Sequence, residues 1–98
     1  MATEVDVDAQ WFTSTLQNCG VRGDRLERVC KRAREVLRLL DLKCPKGQLA
    51  GNEHCRRAAA LQMAATEQGA ELPKSSLLAA CTAKAKQFDL AFNILSMV

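Results

Sequence analysis

From Leu26 onward apolar residues return at steps of three and four: Leu26, Val29, Cys30, Ala33, Val36, Leu37 and Leu40. Residues at that spacing share one face of a helix, so the pattern predicts a long amphipathic α-helix of about five turns. Asp24 and Glu27 stand at its start with Asp-x-x-Glu spacing, a capping pattern. Upstream, Trp11, Phe12, Thr15 and Leu16 repeat in the same rhythm, predicting a first helix from a cap at Asp8 to about Asn18, with Gly20 as its stop. Pro45, Gly47 and Gly51 make positions 43–51 the longest loop. Asn52 is the candidate cap of a third helix reaching about Gln68, and its middle, from Ala58 to Ala65, is apolar on almost every side. A helix of that kind belongs at the centre of a bundle, where alanines let neighbouring helices come close.

Gly69 closes this helix and Pro73 opens a short fourth one that points Leu77 and Leu78 inward. After a break near Cys81 and Thr82, with Thr82 as candidate cap, the fifth helix carries Ala85, Phe88, Leu90, Ala91, Phe92, Ile94 and Leu95 on a broad apolar stripe. No stretch alternates apolar and polar residues over a strand's length. The expectation is a single all-α domain of five helices around the alanine-rich third, with residues 1–7 disordered. The apolar pattern still runs at positions 94–98, so the chain reads as the amino-terminal part of a longer protein.

Ninety-eight residues suffice for one core and not two. No apolar run approaches the roughly 18 residues a membrane span needs, and the acidic start fits neither a secretory signal nor a transit peptide, so an intracellular address is expected. The five cysteines, Cys19, Cys30, Cys44, Cys55 and Cys81, show no Cys-x-x-Cys spacing. They read as free thiols, with Cys30 and Cys55 buried on apolar stripes and Cys44, beside Pro45, the most exposed. The net charge of +3 is uneven: positions 22–57 hold eleven basic against five acidic residues, a local +6.

Candidate chemistry is sparse. His54 is the lone histidine, there is no tyrosine, and no glycine-rich phosphate loop or paired carboxylate in apolar shelter occurs. The expectation is therefore a binding protein rather than an enzyme, with no metal, no cofactor, no small-molecule substrate and no membrane contact. Two basic sets remain. Arg25, Arg28 and Arg32 lie on the second helix, either as a solvated face or as a surface for an acidic partner. Lys84 and Lys86 open the fifth helix, where ammonium groups and backbone N–H groups together attract phosphate.

The segments 26–44, 59–65 and 72–81, followed by Lys84, Lys86 and Phe88 in the last helix, are similar in order and pattern to the amino-terminal domain of the origin recognition complex subunit 6 family. That resemblance implies a cyclin-box fold of the transcription factor IIB kind, a nuclear address, duplex DNA and other subunits of the complex as partners, and a role in replication initiation. It implies DNA contact at Lys74, Cys81, Thr82, Lys84 and Lys86. Cys81 and Ala83 stand in a turn where the family tends to show Ser-Gly-Leu, and Ala85 stands where a further basic residue is common. The residues by themselves also suit a protein-interaction module, another cyclin-like or a death-fold-like domain, that uses Arg25, Arg28 and Arg32.

Overall fold

A computed structural model describes residues 7–44 and 53–97. They form α1 (Val7–Asn18), α2 (Gly23–Lys43), a single 3-10 turn (Glu53–Cys55), α3 (Arg56–Glu67), α4 (Lys74–Cys81) and α5 (Ala85–Ser96), and no strand occurs among the described residues. The domain is all-α, as expected. Helix α3 is its axis and packs against α2, α4 and α5, while α1 reaches the bundle through α2 and α4. Ala58, Ala59, Ala60, Ala64 and Ala65 of α3 are all fully buried, together with Leu61. Small side chains on several faces of one helix are what allow neighbours to close on it from several directions.

Helix α2 buries Val29, Ala33, Val36, Leu37 and Leu40 along the expected stripe. Its start differs from expectation: Arg22 occupies the cap position and Asp24 lies one step inside, in the first turn. Gly23 adopts a φ of 66° at the entrance, which moves the boundary ahead of the Asp-x-x-Glu pattern. Asp8 is likewise inside α1 rather than capping it, and Val7 is helical rather than disordered. Both acids still stand at the positive end of a helix dipole, where they are favourable. The rest of the expected disordered start, the 43–51 loop beyond Cys44 and the Asn52 cap lie outside the described residues. The α3 cap itself is Cys55, because the 3-10 turn intervenes.

Helices α1, α3 and α4 end in one shared motif. Val21 N–H donates to the Leu16 carbonyl (2.9 Å), Ala70 N–H to that of Ala65 (2.8 Å) and Ala83 N–H to that of Leu78 (3.0 Å). Each bond spans five residues and satisfies a carbonyl the helix leaves orphaned. The residue before the donor must turn left-handed, and Gly20 (φ 85°) and Gly69 (φ 73°) do so freely. At the third site that residue is Thr82, with φ 54°. Thr82 therefore terminates α4 and does not cap α5.

Cys44, expected to be the most exposed cysteine, is 2% exposed. It continues the 37, 40, 44 step of the α2 stripe, and its N–H is bonded to the Leu40 carbonyl at 2.7 Å. Cys55 is fully buried, as expected, whereas Cys30 is only half-buried, between α2 and α1, where its thiol donates to the Ala9 carbonyl at 3.8 Å. All five cysteines are free. Because Leu61 is fully buried on the central helix, Leu61→Ala is expected to cost about 2–5 kcal/mol, read as a lower urea midpoint.

Candidate nucleic-acid interface

Of the expected DNA-contacting residues, Thr82, Lys84 and Lys86 stand together at the turn between α4 and α5. Lys84 occupies the cap position of α5 with extended backbone, and its N–H donates to the Gln87 Oε1 at 2.9 Å. A lysine ammonium has no acceptor, so only this return half of a capping box is made. Lys86 follows in the first turn. Both lysines are exposed, and neither forms an ion pair among the described residues. Thr82 is exposed beside them.

Two residues assigned to this surface do other work. Lys74 Nζ donates to Asp89 Oδ1 at 2.7 Å, tying the start of α4 to α5, so a carboxylate already neutralises its charge. Cys81 is buried, its thiol donates to the Leu78 carbonyl at 3.7 Å, and it lies against the Cys55 thiol. Its side chain is thus a core element, because the last residue of α4 on the Leu77 side faces inward. Burial raises the Cys81 thiol, against the lowering effect of its hydrogen bond with Cys55. Burial, with the neighbouring Cys81 thiol, pushes Cys55 up to about 11.

The α2 arginines are also divided. Arg25 and Arg28 are exposed. Arg32 is not available in the same way: its Nε donates to both carboxylate oxygens of Glu67, at 3.3 and 3.1 Å, and its Nη1 lies 3.6 Å from Glu35. The Glu67 hydrogen bond, and then its charge, hold the guanidinium above its ordinary value. Solvent screens exposed pairs of this kind, so the contact matters less for stability than for committing Arg32 to the α3 end.

A groove of about 470 Å³ was not foreseen in the spacing of the residues. It lies where the starts of α1 and α3 meet the end of α4, and its lining includes Asp8, Trp11, Asp41, His54, Arg57 and Thr82. Arg57 Nε lies 3.4 Å from Asp8 Oδ1, and its guanidinium carbon sits 5.5 Å from the centre of the Trp11 ring. Arg56, 7% exposed, donates to the Leu40 carbonyl at 3.2 Å and lies 3.5 Å from Asp41 Oδ1. Opposite charges close over one another here, and His54 stands exposed at the edge. Asp8 and Arg57 are far apart in sequence, so no local pattern announces the pairing.

These contacts leave a lopsided surface. Asp8, Glu35, Asp41, Glu67 and Asp89 are each occupied by an internal cation. Arg22, Arg25, Arg28, Lys31, Arg38, Lys43, Lys84 and Lys86 are exposed with no such pairing among the described residues. Asp24, Glu27 and Glu71 are the acids that remain unpaired on the described surface. Among the described residues no group of three histidine, cysteine or acidic side chains is placed to hold a metal ion.

No protein-family model, curated protein or solved structure matches the chain.

A left-handed threonine costs roughly 1–2 kcal/mol that glycine avoids. Thr82→Gly is therefore expected to raise stability by about 1 kcal/mol, measured by urea denaturation. Cys55 is protonated more tightly in the folded chain than at its ordinary 9.0, so its contribution is intact below pH 9 and lost as pH rises through about 11. Thermal midpoints are expected to fall across that window, and less steeply in Cys55→Ala.

Proposed function

We propose that this domain is a non-catalytic DNA-binding module that contacts duplex phosphates through the opening of α5. The observation that carries the reading is the state of Lys84 and Lys86: both are exposed and unpaired, and they stand at the start of a 12-residue helix whose first N–H groups lack helical partners. The wider excess of unpaired cations favours the approach of a polyanion. Thr82 adds a hydroxyl at the same edge. Lys74 contributes weakly, since binding phosphate would require it to leave Asp89.

With the resemblance to the origin recognition complex subunit 6 family, the proposed setting is the nucleus, where the domain acts with other subunits of that complex in replication initiation. The cyclin-box identity of the bundle belongs to the same proposal. Contacts restricted to phosphate confer affinity and orientation but little sequence preference, which suits a subunit that shares its DNA with others.

Fluorescence anisotropy with a labelled duplex at a series of salt concentrations tests the proposal. Lys84→Ala with Lys86→Ala is expected to weaken binding and reduce the slope of log K against log salt by about two. Lys74→Ala is expected to change the slope much less. Absence of binding at low salt, or an unchanged slope in the double variant, overturns it.

A further inference from the structure

The outer face of α2 carries Arg28, Lys31, Glu35, Arg38, Leu39 and Leu42, which succeed one another at helical neighbour spacing over about 21 Å. Leu42 is 74% exposed and Leu39 44%, so two leucines one turn apart keep an apolar patch in water. Arg38 is exposed beside them, and Arg28 and Lys31 are exposed two to three turns earlier on the same face, all three without an ion pair among the described residues. Glu35, the one acid of the strip, is drawn sideways to Arg32.

We infer that this face docks an acidic amphipathic helix of a partner protein. The partner's apolar residues cover Leu39 and Leu42, and carboxylates on the same face meet Arg28, Lys31 and Arg38. Charge complementarity selects the occupant, because uncompensated cations in line with an apolar pair on one helix face ask for a segment that is both acidic and apolar along its length. Duplex phosphates would satisfy the cations and leave the leucines in water. A membrane surface needs a broader apolar face than two leucines, and the remaining apolar stripe of α2 is committed to the core. A second copy of the chain would set cation against cation. The contact uses none of Lys84, Lys86 or Thr82, so it stands or falls separately from DNA binding.

The test is a nuclear magnetic resonance titration of the isotope-labelled domain with four probes. These are a helical peptide bearing Glu and Leu on one face, a scrambled peptide of equal composition, a DNA duplex, and phosphatidylserine vesicles. The patterned peptide is expected to shift resonances along Arg28 to Lys43 and to bind about tenfold tighter than the scrambled one. Leu39→Ser with Leu42→Ser, and separately Arg28→Glu with Lys31→Glu and Arg38→Glu, are each expected to weaken it by about tenfold or more. All five positions are exposed, so the variant spectra should retain the native fold, and either variant alone suffices for the comparison. Equal binding of the scrambled peptide, indifference to the leucine or charge changes, shifts confined to other helices, or equal perturbation of this face by duplex or vesicles overturns the inference.

Discussion

Close approach of helices to the alanine face of α3 is the constraint from which the rest of the domain follows. A chain of this size has one core to fill, and it fills it by placing small side chains at the centre and larger ones on the elements that surround it. Phe12, Leu16, Val29, Leu77, Phe88 and Leu95 are the larger pieces, brought in from α1, α2, α4 and α5. The arrangement fixes where each helix ends, and the ends are where the polar chemistry lies. The groove at the starts of α1 and α3 and the α4–α5 turn are both consequences of helices meeting around one axis.

Ion pairing then decides which charges face outward with nothing to oppose them. Surface and groove pairs consume carboxylates from α1, α2, α3 and α5, and leave cations on the outer side of α2 and at the opening of α5. The net charge of +3 understates this asymmetry, because a paired acid no longer screens a distant cation at short range. The two basic regions differ in kind. The α5 opening joins lysines to helix N–H groups and a hydroxyl, a set suited to phosphate, whereas the α2 face joins arginines and lysine to exposed leucines, a set suited to protein.

The turn after α4 shows how one backbone requirement links stability to the proposed site. The motif that ends α1 and α3 with glycine ends α4 with Thr82. A threonine there places a hydroxyl on the surface next to Lys84 at the expense of backbone comfort. The buried Cys81 and Cys55 anchor the inner side of the same turn.

The helices of the described residues, the α2 stripe and the central place of the alanine-rich helix were legible in the residues, because three-and-four periodicity and apolar content depend on local spacing alone, whereas Ala85 and Leu90 of the expected α5 stripe are exposed. The places of Lys84 and Lys86 at the opening of a helix after a break were legible for the same reason, although Lys84 caps the helix and only Lys86 lies in its first turn. Helix starts were less so: Asp8, Asp24 and Thr82 have capping chemistry, but the boundaries shifted by a few residues once Gly23, the 3-10 turn and the α4 terminating motif took up the backbone. Only the tertiary structure decided which charges are spent. The pairings of Arg57 with Asp8, Arg32 with Glu67 and Lys74 with Asp89 join residues far apart along the chain, and Cys44 and Cys81 were buried by the same packing. Periodicity tells a helix which face to bury, whereas the partner of a charge depends on where the other helices come to rest.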